Sequence, residues 1–231
     1  MENDLRLGDC MEVLKDIPDG SVDLIITDPP YKFENQGGGF YAHNDSTHRK
    51  YLDSLKKIRC CEFEPITFLE SVRSKLKQFY GYFFCNKTLV DDYIRFAKDN
   101  KFQYDILVLA KRNPIPAYNN HHLSDLEYIV MIREKGTYFS NHKNMDDYRK
   151  FYLTSCRKGL HPAEKPVELI RRFVRVSSKP EDVVLDCFMG SGTTGVACVL
   201  ENRRFIGCEI NDEYFNLASQ RISNTSKEEL I

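Results

Sequence analysis

The sequence predicts an α/β domain of the doubly wound kind, with a mostly parallel sheet and an antiparallel hairpin at its edge. Three observations predict it. Two apolar runs, 22–26 and 183–185, are rich in Val, Leu and Ile and read as strands buried on both faces. Each run stops abruptly, the first at Asp28-Pro29-Pro30-Tyr31 and the second at Asp186 and a turn carrying Gly190, Gly192 and Gly195. From 183 to 209 the order is strand, glycine turn, helix, strand, acid, which is the nucleotide-binding half of a doubly wound fold.

Each element has a local reason. Leu5-Arg6-Leu7-Gly8 is a short strand, and 11–16 is a helical turn closed by Pro18-Asp19-Gly20. Strand 22–26 leads into the tetrapeptide, and 33–50, with Gly37-Gly38-Gly39, reads as a mobile loop. Ile66, Phe68, Leu69, Val72 and Leu76 share one helical face over 64–78. Residues 80–85 (Tyr-Gly-Tyr-Phe-Phe-Cys) form a strand and 89–99 a helix, while 106–110 and 128–132 are expected to make the antiparallel edge pair. A helix over 168–176 precedes strand 183–186. A helical stretch over 196–201 leads to the strand 204–208 and Glu209, then a helix over 213–222 and a frayed end over 224–231. No repeat, low-complexity tract or linker interrupts the 231 residues, so a single domain is expected over 1–231.

The two interrupted strands suggest chemistry. In open α/β sheets ligands bind at the carboxyl ends of the strands. Pro29 and Pro30 fix two φ angles, so the carboxylate of Asp28, the neighbouring carbonyls and the ring of Tyr31 project from a stiff segment. Hydrogen-bond acceptors beside a flat ring suit an exocyclic amine on a planar base. A plain strand-to-loop turn uses the same residue types, so the tetrapeptide alone does not decide. Gly190, Gly192 and Gly195 also match the dinucleotide spacing Gly-x-Gly-x-x-Gly of a dehydrogenase, whereas a P-loop is excluded because no Lys follows the glycines. Both elements on one small domain point to S-adenosylmethionine.

The chain resembles the β-class DNA amino-methyltransferases, the circularly permuted group in which the catalytic tetrapeptide precedes the cofactor loop. The resemblance rests on Leu7-Gly8-Asp9-Cys10, Asp28-Pro29-Pro30-Tyr31, Lys111-Arg112-Asn113-Pro114-Ile115-Pro116, His161-Pro162-Ala163-Glu164-Lys165-Pro166, the segment from Asp186 to Thr194, and Glu209, in the family's order. Cys187 departs from it, standing where the family usually carries proline. The resemblance implies a Rossmann-like methyltransferase domain that uses S-adenosylmethionine to methylate adenine N6 in double-stranded DNA. Cytosine N4 methylation and a non-catalytic subunit of a modification assembly are the alternatives. Asp28, Pro29, Pro30 and Tyr31 would be catalytic. Asp28, Asp9, His161, Lys165, Asp186, Phe188, Gly190, Ser191, Gly192, Thr193 and Glu209 would contact the cofactor, with Glu209 on the ribose hydroxyls. Asp9 has a simpler reading as the cap of the helix at Met11. Phe33, Tyr41, Asn113, Lys56, Lys57, Arg59, Lys143 and Arg149 would meet DNA, with 32–60 as the mobile loop and 136–160 as a short target-recognition insert. A homodimer and a restriction enzyme are the protein partners the resemblance allows.

Composition bounds these readings. The net charge is −1, without the basic balance of many nucleic-acid binders, yet 32–60 and 133–161 are each net positive and flank the tetrapeptide and the cofactor turn in the family's order. The eight cysteines include no Cys-x-x-Cys pair, so no metal framework is legible. Cys10, Cys85, Cys187, Cys198 and Cys208 lie in or beside apolar runs, as reduced thiols of a cytoplasmic protein would. No signal peptide or membrane-spanning run is present.

Overall fold

A computed structural model describes residues 3–30, 63–114, 122–123, 125–141, 144–155 and 164–225. Most of the sheet follows the strand signals. In chain order the strands are β1 (Asp4–Leu7), β2 (Leu24–Thr27), β3 (Tyr80–Cys85), β4 (Gln103–Lys111), β5 (Leu126–Arg133), β6 (Phe151–Thr154), β7 (Val183–Asp186) and β8 (Arg204–Glu209). The helices are α1 (Cys10–Val13), α2 (Pro65–Arg73), α3 (Val90–Asp99), α4 (Val167–Ser177), α5 (Thr193–Leu200) and α6 (Asp212–Ser223). The loop expected over 33–50 and the end of the chain beyond 225 lie outside the described residues.

The strands make one sheet in the order β1-β8-β7-β2-β3-β5-β4-β6. Pairings are parallel except those of β5, which runs against both β3 and β4. Successive side chains point to opposite faces, so the sheet separates two apolar layers. Phe83 and Cys85 of β3 pack with α1, α2 and α3, whereas Tyr80, Tyr82 and Phe84 pack with α4, α5 and α6. The five cysteines expected in apolar runs are buried, and none of them is in a disulfide.

Three boundaries differ from the sequence reading. The β4–β5 hairpin is one strand in from the edge, because β6 pairs outside β4. β6 has four residues with Phe151 and Leu153 exposed, so it carries no buried-strand signal. It also places part of the expected 136–160 insert within the sheet. The helix expected over 64–78 ends at Arg73, because the next residues pair with Val22: Val22 N donates to Lys75 O at 3.0 Å and Lys77 N to Val22 O at 2.8 Å. Finally, α5 begins at Thr193 rather than Val196. Gly192 caps it in the left-handed region with φ 80°, which glycine adopts without penalty. Thr193, Thr194 and Gly195 are poor helix formers, but all three are buried, so packing overrides propensity.

Candidate active site

The strand order creates the site. β7 and β2 lie side by side, and the chain leaves them in opposite directions, from β7 to β8 and from β2 to β3. Their carboxyl ends flank the topological switch point, where open α/β sheets bind ligands. Four acids stand at the ends of four adjacent strands: Asp9 after β1, Glu209 on β8, Asp186 on β7 and Asp28 after β2.

Asp186 joins the two halves. Its Oδ1 accepts from Thr27 Oγ1 at 2.8 Å and Phe188 N at 3.1 Å, and its Oδ2 accepts from Thr194 Oγ1 at 2.6 Å. Burial pushes this carboxyl up to about 6 against those hydrogen bonds. Three bonds inside the protein make Asp186 a clamp between β2 and the glycine turn.

Glu209 supports the turn from β8. Its Oε2 accepts from Gly190 N and its Oε1 from Asn211 N, each at 2.9 Å. Burial raises this carboxyl as well, opposed by the backbone donors. Asp9 caps α1 by accepting from Met11 N at 2.8 Å. The glycine turn is gripped from behind by Arg221 of α6, which donates to Ser191 O at 3.2 Å, Ser191 Oγ at 3.1 Å and Thr193 Oγ1 at 3.3 Å. Arg221 also pairs with Glu164 at 2.7 Å. Phe188 packs its ring on Phe63 and Phe68, with centroids at 5.7 and 5.5 Å. Cys187 is buried, and the turn accommodates it without proline.

Asp28 has a split environment. Its Oδ2 accepts from Lys165 Nζ at 2.5 Å, while its Oδ1 is buried and has no hydrogen-bond partner among the described residues. Burial raises this carboxyl; Lys165 pulls it down and Glu127 pushes it further up. Lys165 is 9% exposed, sits 5.1 Å above the Phe84 ring, and approaches Glu127 Oε2 at 3.3 Å. Glu127 pairs in turn with Lys111 Nζ at 2.5 Å. Burial would raise the Glu127 carboxyl, but Lys165 and Lys111 outweigh it and hold it down at about 2.

Among the sequence-derived site residues, the structure thus gathers Asp9, Asp28, Lys165, Asp186, Phe188, Gly190, Ser191, Gly192, Thr193 and Glu209 at one edge of the sheet, with Pro29 and Pro30 directly after Asp28. Lys165 pairs with Asp28. Asn113 is exposed in the turn after β4, and Arg149 is exposed and paired with Asp146 at 2.7 Å. Tyr31, Phe33, Tyr41, Lys56, Lys57, Arg59, Lys143 and His161 lie outside the described residues. Thr27, Glu127 and Arg221 escaped the sequence reading because their partners are distant in the chain, whereas Thr194 lay inside the quoted segment from Asp186 and bonds to Asp186 eight positions away. Lys111 and Glu164 fell within quoted motifs, but no role followed from spacing.

A glycine-turn half that suits a nucleoside cofactor, joined across the switch point to a stiffened acid, defines the architecture of a group-transfer enzyme. The sequence pattern of a DNA methylase family, the N6/N4 methyltransferases, matches residues 22–220. The DNA adenine methyltransferase YhdJ of Escherichia coli K12 is 29% identical, the alignment covering 96% of this chain and 84% of that one. The type II methyltransferase M.HinfI of Haemophilus influenzae is 29% identical over 95% of this chain and 68% of its own. The crystal structure of the M1.HpyAVI complex with S-adenosylmethionine superposes with a TM-score of 0.72 at 26% identity, covering 95% of this chain and 100% of that one. The chain belongs to the DNA N6/N4 amino-methyltransferase family, whose members are S-adenosylmethionine-dependent DNA methyltransferases. No helix among the described residues is long and apolar enough to cross a membrane.

Proposed function

We propose that the protein methylates the exocyclic N6 of an adenine flipped out of double-stranded DNA. The observation that carries this reading is Asp28 Oδ1, a buried acceptor at the switch point without a partner among the described residues, on a carboxylate whose other oxygen is already held. An adenine amine is a weak nucleophile because its lone pair is delocalised into the ring. Donation of its two N–H bonds to Asp28 Oδ1 and the Pro29 carbonyl localises that pair toward the incoming methyl. Once the N–C bond forms, the amine proton becomes acidic and leaves through Asp28, so a strong base is not required. The catalytic segment Asp28-Pro29-Pro30-Tyr31 mainly positions the two reactants in line. A base stacked in a duplex cannot reach Asp28, so the target must leave the helix, and Tyr31 would stack on it.

The residues present fit S-adenosylmethionine. Gly190 and Gly192 have φ of 51° and 80°, and each oxygen of Glu209 accepts one backbone N–H, leaving lone pairs for a ribose diol. When bound, the cofactor supplies a methyl activated by a sulfonium. Asp9 would lie near its adenine, and Asp28, His161, Lys165, Asp186, Phe188, Ser191 and Thr193 around its methionine end. Phe33, Tyr41, Lys56, Lys57, Arg59, Asn113, Lys143 and Arg149 would contact DNA, with target readout shared between 32–60 and 136–160. A cytoplasmic location, a homodimer and a companion restriction enzyme complete the reading. It is tested by expressing the chain in a host free of adenine and cytosine-N4 methylation and analysing its nucleosides by mass spectrometry. N6-methyladenine is expected. N4-methylcytosine would overturn the choice of base, and cofactor binding with neither product would overturn catalysis.

A further inference from the structure

The ion pair that holds Asp28 does not end at Lys165. Four charges of alternating sign run in line: Lys111 Nζ to Glu127 Oε1 at 2.5 Å, Glu127 Oε2 to Lys165 Nζ at 3.3 Å, and Lys165 Nζ to Asp28 Oδ2 at 2.5 Å. Lys111 ends β4 and Glu127 is the second residue of β5, so both charges are mounted on the antiparallel hairpin. Side-chain exposure falls from 28% at Lys111 to 19% at Glu127 and 9% at Lys165. Each pair is therefore less screened than a surface salt bridge.

The geometry gives this chain a directional effect. A lysine ammonium sits on a flexible four-carbon stem, and one carboxylate contact does not fix it. Between Glu127 and Asp28, with the Phe84 ring beneath, the ammonium of Lys165 has one location. Because Asp28 Oδ2 meets that ammonium, rotation of the carboxylate is restricted, and Oδ1, which has no partner among the described residues, is left for a second donor.

We propose that Glu127, anchored by Lys111, is a positioning residue for methyl transfer: it holds Lys165 and so orients Asp28 with Oδ1 toward the target amine. This inference rests on the reading of Asp28 as the acceptor of that amine. Glu127 touches neither substrate nor cofactor in this scheme and acts only through Lys165 and Asp28, so its removal lowers the rate of transfer by a larger factor than it weakens cofactor binding.

The test is a double-mutant cycle on single-turnover methyl transfer at saturating cofactor. Its substrate is unmethylated DNA carrying the site found by modified-base sequencing. Glu127→Gln should lower the rate at saturating cofactor by about 10- to 100-fold, the scale of a small misplacement of a reacting group, with a smaller change in cofactor affinity. Lys111→Met should lower it by a smaller factor. In a Lys165→Met background Glu127→Gln should cost nothing further, because its effect passes through Lys165. A wild-type rate for Glu127→Gln, or an equal loss in both backgrounds, would overturn the proposal. If Glu127→Gln does not fold, Lys111→Met at the more exposed end carries the same cycle, and a wild-type rate there overturns it. Asp28→Ala, run alongside, separates the two levels. An active Asp28→Ala enzyme removes the reading of Asp28 itself, whereas an inactive one beside an active Glu127→Gln enzyme removes only the role of Glu127.

Discussion

Asp28→Asn isolates the proposed chemistry with the least change in shape. The amide oxygen can still accept from Lys165 Nζ, which now meets Oδ2 at 2.5 Å. The amide nitrogen then occupies the place of Oδ1 and presents donors to an amine that is itself a donor. The acceptor is lost and a repulsive contact replaces it. Loss of a positioned proton acceptor costs about 100- to 10,000-fold in rate, or about 3–5 kcal/mol of transition-state stabilisation. Folding should not suffer in parallel. Burial raises the Asp28 carboxyl in the native state, so this group stabilises the fold below its unfolded pKa and loses that contribution as pH rises through the native value. At neutral pH the ionised carboxylate is a cost, only partly offset by Lys165, and Glu127 still balances Lys165 in the variant. Thermal melting at pH 7 should therefore match or exceed wild type, and calorimetry should show unchanged cofactor affinity, while single-turnover transfer collapses. An Asn variant that turns over within roughly tenfold of wild type, a loss of about 1.4 kcal/mol or less, would refute Asp28 as the acceptor. Lost cofactor affinity with normal transfer at saturation would leave Asp28 as a cofactor contact alone.

Glu209→Ala should weaken S-adenosylmethionine binding by about 1.5–3 kcal/mol in calorimetry, since it removes charged acceptors from a ribose and from Gly190 N. Arg221→Ala should also weaken that binding without altering transfer at saturating cofactor, because Arg221 holds Ser191 and Thr193 from outside the site. Gly195→Ala would place a Cβ 2.3 Å from Ile222 Cδ1, 2.8 Å from Ile222 Cγ1 and 2.9 Å from Phe205 Cδ1, so denaturant unfolding should show a loss of about 1–3 kcal/mol, recovered in part by adding Ile222→Ala. Asp186 is raised to about 6, so its contribution to stability is present below the unfolded pKa and disappears as pH rises through about 6. Melting curves for Asp186→Asn should lack that component, and an unchanged pH dependence between 4 and 7 would return Asp186 to an ordinary carboxylate.

Several parts of this protein were legible in the sequence because the signals are local. Strands such as Leu24–Thr27, Tyr80–Cys85 and Val183–Asp186 are short apolar runs bounded by residues that end them. Proline restricts the backbone and glycine frees it within a few residues, whatever the rest of the chain does. That is why the Asp28-Pro29-Pro30 segment and the glycine turn are legible without any tertiary contact. Weakly patterned β6 was missed, and α2 stops early because Lys75 and Lys77 hydrogen-bond to Val22 instead of continuing the helix.

The wiring of the site belongs to the tertiary structure alone. Thr27 and Asp186 are 159 positions apart, and Lys165 and Asp28 are 137 apart. Glu127 reads in the sequence as one more polar residue at the start of an exposed strand. Which carboxylate a lysine meets depends on strand order, register and the rotamers that packing permits, and none of these leaves a mark on the neighbouring residues. The sequence by itself therefore determined which strand ends carry acids. Only the folding of β7 beside β2, and of the β4–β5 hairpin beside β3, decided which acids face one another, which are consumed as clamps, and that one oxygen of Asp28 has no partner among the described residues.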